Sequence, residues 1–176
     1  MNLWYIALRS FSPAHKDWQR YIEQTGLKSL REIISLDQIL CPPAIQRFET
    51  DDWNHNVHEN FFNDYFLDLD YLVRRSSSFE NIHILAVARA PTKEIRDAFT
   101  SVNFRFIGYD ITDRYGSNSI LSNCGPLPLA FGPRDLSSYG LIYTYKRVSE
   151  VQKALSQYYA DELSDCIIWA LWQRIV

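Results

Sequence analysis

The sequence predicts an α/β fold, with the related α+β class as the alternative, in which helices pack on a single sheet of about four to five strands. Two observations predict this class. Short apolar runs rich in aromatic and β-branched residues alternate with stretches in which apolar residues recur every three to four positions. The length of 176 residues and the hydrophobic content of 47% suit one folded core. We therefore predict a single globular domain over residues 1–176.

The first half of the chain is predicted to hold one strand and three helices. Residues 3–9 are rich in aromatic residues and form the strand. Pro13 stands at the first position of a helix that runs to about residue 24, since proline needs no hydrogen-bond partner there. Residues 27–40 and 59–73 both place apolar residues at helical spacing and are predicted to form the other two helices.

The second half is predicted to hold the remaining strands. Residues 82–89 and 104–111 form apolar strands separated by a short helix over residues 91–99. A long loop over residues 113–133, rich in glycine and proline, has room for a short strand at 119–121. A helix over 146–159 and an apolar strand over 166–175 follow, with Trp169 and Trp172 on opposite faces of that strand. Parallel and mixed pairing both stay open.

Composition excludes several classes of function. The net charge of −3 gives no electrostatic reason to expect nucleic acid or a membrane surface as a direct partner. The apolar runs are shorter than the roughly 18 residues that span a bilayer, and the first ten residues lack the features of a signal peptide. Cys41, Cys124 and Cys166 have the spacing of neither a disulfide framework nor a zinc site. We expect a reduced, cytoplasmic protein.

Charge is distributed unevenly along the chain. The stretch from residue 49 to residue 73 contains no lysine or arginine and seven acids, namely Glu49, Asp51, Asp52, Glu59, Asp64, Asp68 and Asp70. The rest of the chain therefore carries a net charge of +4. A helix over 59–73 would turn one apolar arc toward the core, made of Phe61, Phe62, Tyr65, Phe66, Leu69, Leu72 and Val73.

Leu67 and Tyr71 are exceptions, because the same helix would place them four residues apart within the acidic arc. An apolar pair inside a rim of carboxylates is typical of an interaction surface. We predict that a partner binds to this surface, whose residues are Asp51, Asp52, Asp64, Leu67, Asp68, Asp70 and Tyr71. The alternative is a solvated acidic face with Tyr71 covered by a neighbouring loop.

The sequence contains no complete catalytic, metal or nucleotide motif. His55 and His58 could in principle ligate zinc or supply a general base, but their spacing matches no helical metal motif. Cys124 lies in a sharp turn, where a nucleophile would need a base and an orienting group within reach. A hydrogen-bonded loop and a buried cysteine are the favoured interpretations. We predict no cofactor and no metal.

Five stretches of the chain resemble a family of small bacterial proteins of the kind met beside toxin genes as immunity proteins. They are residues 53–57 (WNHNV), 61–72 (FFNDYFLDLDYL), 106–110 (FIGYD), 122–125 (SNCG) and 166–172 (CIIWALW). The resemblance covers most of the chain from Trp53 onward. It implies an antitoxin-like, non-enzymatic role in which carboxylates cover the basic surface of a toxin, and it assigns no catalytic residue.

Three hypotheses for the function follow. The first is a cytoplasmic immunity protein that binds and neutralises a basic toxin domain, a nuclease, through the acidic segment. The second is a small enzyme that uses Cys124, or the His55 and His58 pair, beside the loop over 113–133. The third is an adaptor or oligomerisation module that buries Tyr71 against a second copy. The toxin, the oligomeric state and the strand order stay open.

Overall fold

The sheet is antiparallel throughout. The structure is a computed structural model, and it describes residues 3–9, 19, 22–23, 31–36, 65–77, 82–99, 101, 103–114, 118–123 and 129–175. Within these residues four strands pair in the order β1-β2-β4-β3, and they are Trp4–Arg9 (β1), Ile82–Arg89 (β2), Phe104–Thr112 (β3) and Ile167–Arg174 (β4). Every neighbouring pair is antiparallel. The single predicted sheet is confirmed.

Among the described residues, three helices pack on this sheet, which makes the fold α+β. They are Leu69–Ser76 (α1), Ile120–Asn123 (α2) and Tyr145–Tyr158 (α3). A further short helix, Ala160–Leu163 (α4), follows α3, and turns of 3-10 helix occupy Arg96–Ala98 and Pro133–Asp135. Helix α3 begins at the N-cap Thr144, whose side chain accepts a hydrogen bond from the Arg147 N–H.

The core lies on both faces of the sheet. On the face that carries the helices, Trp172 packs with Val148 and Leu155 of α3. On the other face, Trp169 packs with Trp4 and with Tyr65, whose ring stacks on the indole at 5.2 Å between centroids. Trp169 and Trp172 are both fully buried on opposite faces, as their spacing in the strand predicts.

Residues 31–36 are not helical, so the prediction of a helix over 27–40 is wrong for this part. Four consecutive residues, Ile33 to Leu36, are buried, which a one-sided helix would not allow. Ile34 and Leu36 pack in the cluster on the second face of the sheet. The Arg31 N–H donates to the Ser138 carbonyl at 2.8 Å and the Ile34 N–H to the Tyr139 carbonyl at 3.1 Å. These distant partners replace the helical hydrogen bonds.

Two smaller predictions are also corrected. The strand proposed at 119–121 is a single bridge from Ser119 to Thr112, after which α2 begins. The helix proposed over 91–99 is reduced to the 3-10 turn at Arg96–Ala98. Most of the helix proposed over 13–24 lies outside the described residues.

Candidate functional site

The acidic segment is described from Tyr65 onward, while Asp51, Asp52 and Asp64 lie outside the described residues. The helix predicted over 59–73 is wrong for residues 65–68. Phe66 instead pairs with Tyr5 on the outer side of β1, through hydrogen bonds of 2.7 Å and 2.8 Å between their backbones. Helix α1 then begins after Asp68, whose carboxylate caps it by accepting a hydrogen bond of 2.9 Å from the Tyr71 N–H.

This geometry separates the two residues predicted to lie together on the acidic arc. Leu67 precedes the helix and is 56% exposed. Tyr71 is half-buried and packs beside Phe66 and Leu72 in a small apolar cluster between α1 and the sheet. Tyr71 is therefore less exposed than the sequence predicted, and its role in binding a partner stays a prediction.

Leu67, Asp68 and Asp70 remain as an exposed group, which we call the acidic edge. Asp70 lies in the first turn of α1, where a carboxylate is stabilised by the helix dipole. Phe66 is fully buried and fixes the backbone on one side of Leu67, while the cap at Asp68 fixes it on the other. The acidic edge thus presents one apolar side chain and two carboxylates from a backbone held at both ends.

A buried polar cluster that the sequence analysis did not predict lies at the end of β3. Asp110 is fully buried, and its carboxylate accepts hydrogen bonds from the Leu36 N–H at 3.1 Å and the Ser119 hydroxyl at 2.6 Å. The hydroxyls of Ser35 and Ser122 lie 2.7 Å apart in the same region. A buried carboxylate is stable only when it is hydrogen-bonded, so Asp110 serves here to attach residues 31–36 and α2 to the sheet.

His83 takes part in a chain of polar side chains across the sheet. Its Nε2 lies 2.5 Å from Glu32, and its Nδ1 lies 2.8 Å from Gln173 Nε2. Arg105, which can only donate, contacts the oxygen of Gln173 at 3.0 Å and thereby turns the amide nitrogen toward His83. His83 Nδ1 is thus an acceptor and Nε2 carries the proton toward Glu32. Both ring nitrogens have partners within the fold.

A third polar group joins β3 to the start of α3. The Tyr109 hydroxyl donates to Glu94 at 2.5 Å, and the Tyr145 N–H donates to the same carboxylate at 3.1 Å. Burial acts to raise the pKa of Glu94, but the hydrogen bonds from Tyr109, Tyr145 and Arg96 and the charge of Arg96 hold that pKa below its usual value. Burial and the hydrogen bond to Glu94 raise the pKa of Tyr109. The group stabilises the N-terminus of α3.

The residues proposed for catalysis or metal binding lie mostly outside the described part of the chain. Cys124, His55 and His58 are not among the described residues. Within the described ranges, no three histidine, cysteine, aspartate or glutamate side chains are grouped so as to hold a metal ion. Cys166 is a buried free cysteine, and its burial raises the pKa of the thiol, which lowers its reactivity.

Comparison with protein-family models, with curated proteins and with solved structures finds no match. None of the described helices has both the length and the apolar content to cross a membrane. We therefore infer a function from the chemistry of the described side chains.

Proposed function

We propose that this chain is a non-enzymatic immunity protein of the cytoplasm, which binds a basic toxin domain, a nuclease, and neutralises it through the acidic segment. One observation carries the proposal. Leu67 is 56% exposed in a short stretch whose neighbours are fixed, Phe66 by its pairing with β1 and Asp68 by its cap on α1. The fold holds an apolar side chain in solvent close in sequence to two exposed acids, Asp68 and Asp70.

A fixed anchor favours tight binding. An interface side chain that is already held in place loses less conformational freedom on association, so more of its contact energy appears as affinity. Binding energy is concentrated in a few anchors surrounded by a rim that excludes water. Leu67 fits the role of the anchor, and Asp68 and Asp70 fit the role of the rim.

The charge of the segment indicates the chemistry of the partner. A nuclease presents a basic surface because its substrate is a polyanion. Seven carboxylates without a lysine or arginine among them would attract such a surface, speed its association and compete with the nucleic acid for the same cations. The same carboxylates disfavour direct binding of nucleic acid to this chain.

The proposal is tested by expressing the protein together with the product of the adjacent reading frame. We expect the protein to suppress the lethality of that product and to form a stable complex with it. Leu67→Ala should weaken the complex about tenfold, since an anchor contributes more than 1 kcal/mol. Leu129→Ala is the matched control, because Leu129 is 62% exposed on another part of the surface.

Equal effects of the two leucine variants would contradict the assignment of the acidic edge. Cys124→Ser separates binding from catalysis: protection that survives this substitution supports binding, whereas loss of protection with intact folding would favour an enzyme.

A further inference from the structure

A cavity lies where β2 ends and β1 begins. Its volume of about 390 Å³ is within the range of sites that hold small molecules. It is lined by Trp4, Ala88, Arg89, Ala90, Pro91, Thr92, Lys93 and Ile95. Most of these residues contribute apolar surface, which suits the body of an organic ligand.

The charged groups at this cavity have one sign. Arg89 and Lys93 are both exposed side chains of the lining, and none of the eight lining residues, all of them described by the structure, is acidic. Glu94, the next residue along the chain, directs its carboxylate to hydrogen bonds with Tyr109 and Tyr145. Arg89 also donates to the Arg114 carbonyl at 3.4 Å, which holds its guanidinium near the end of β3. The cavity therefore favours an anion.

The backbone that forms the cavity wall adopts an unusual conformation. Ala90 has a φ of 48°, the left-handed region that costs a residue with a Cβ atom energy. The conformation is held by the Ala90 N–H, which donates to the Ile168 carbonyl of β4 at 2.8 Å. Left-handed residues of this kind concentrate at ligand sites, because they turn the backbone into a concave surface. Arg89 precedes this turn and Lys93 follows it.

We propose that this cavity binds a small organic anion, with the apolar body of the ligand against Trp4, Pro91 and Ile95 and its carboxylate or phosphate between Arg89 and Lys93. The lining of this site contains none of the residues of the acidic edge. It gives the protein a second, small-molecule ligand.

The test uses phenylacetate as the probe and phenylacetamide as its neutral match, with binding followed by amide chemical shifts of the full chain. We expect phenylacetate to saturate the site with a dissociation constant of about 1 mM or tighter and to shift the amides of Ala90, Thr92 and Lys93. Phenylacetamide should bind about tenfold more weakly, because it loses the attraction of both cations. Phenyl phosphate should bind at least as well as phenylacetate if the charge decides recognition.

One variant and its control test the role of Lys93. Lys93→Gln should weaken phenylacetate about threefold to fivefold, the value of an exposed ion pair, while Lys146→Gln on α3 leaves it unchanged. Equal binding of phenylacetate and phenylacetamide, equal binding by Lys93→Gln and Lys146→Gln, an absence of saturable shifts, or shifts confined to other regions would each overturn the proposal.

Discussion

The two edges of the sheet are covered in different ways. On the outer side of β3, the Tyr109 backbone exchanges hydrogen bonds with Ile142 at 2.7 Å and 3.0 Å, and Gly108 lies so close to Leu141 that no side chain fits between them. On the outer side of β1, the Phe66 backbone exchanges a comparable pair of hydrogen bonds with Tyr5. The next residue, Leu67, is exposed. The edge at β3 fixes the fold, and the edge at β1 presents side chains to solvent.

The largest effect is expected at the β3 edge, from Gly108→Ala. Gly108 has a φ of 143°, and an added Cβ would lie 2.7 Å from the Cβ of Leu141. Strain and overpacking together should lower the free energy of unfolding by about 3 kcal/mol or more, as measured by urea denaturation. Gly132→Ala is the control, because its φ is −142° and nothing lies within 4 Å, and its effect should stay within about 0.5 kcal/mol. Similar losses in both variants would show that this edge is not tightly packed.

A smaller loss is expected from Tyr109→Phe, which removes the hydroxyl between Glu94 and the Ile95 N–H. The free energy of unfolding should fall by about 1–3 kcal/mol at neutral pH, while Tyr143→Phe, an exposed control, should have little effect.

The stability lost in Tyr109→Phe should become smaller as the pH falls. The folded-state pKa of Glu94 is held below its usual 4.5, so its ionised form stabilises the fold above about pH 4.5 and this contribution disappears as the pH falls through the lowered value. Tyr109→Phe weakens that stabilisation. The difference in melting temperature between the unaltered protein and Tyr109→Phe should therefore become smaller in acid. A difference that widens in acid would contradict the account of the cluster.

At the β1 edge, Asp68 both caps α1 and carries a negative charge, and substitution can separate these two roles. Asp68→Ala should destabilise the protein by about 1 kcal/mol, because the Tyr71 N–H loses its cap. Asp68→Asn should keep most of the stability, since asparagine caps helices as well as aspartate does, while it removes the charge. Thermal unfolding of both variants distinguishes the roles. Equal destabilisation would mean that the charge, rather than the cap, stabilises α1.

The regular elements were the part of the fold that the sequence could predict. The four strands and α3 lie within two residues of their predicted bounds, because each has a sustained apolar pattern of one period. The predicted helices fail at residues 31–36 and 65–68 for one physical reason. Both segments carry apolar residues at helical spacing, but their backbones bond to partners far along the chain, Ser138 and Tyr5, which a local pattern does not contain.

The sequence predicted which residues form the candidate site, but it predicted their arrangement only in part. The excess of acids and the exposure of Leu67 could be derived from the sequence, whereas the partial burial of Tyr71 depends on how α1 packs on the sheet. Asp110 and His83 carried a visible signal, because each interrupts an apolar strand. Their partners come from residues 31–36, 119 and 173, and only the folded chain brings these together.

The central claim is that the acidic edge binds a basic partner through Leu67 and the charge beside it. The most direct measurement compares the affinity of two double variants for the product of the adjacent reading frame, the proposed partner, at low and at high salt. Leu67→Ala with Asp70→Lys alters the acidic edge. Leu129→Ala with Asp161→Lys is its match, since Asp161, like Asp70, is an exposed acid at the second position of a helix.

We expect both double variants to fold, and only the first to lose affinity, by about a hundredfold at low salt and by less at high salt, where charges are screened. Equal affinities of the two variants, with the salt dependence of the unaltered protein retained in both, would contradict the claim.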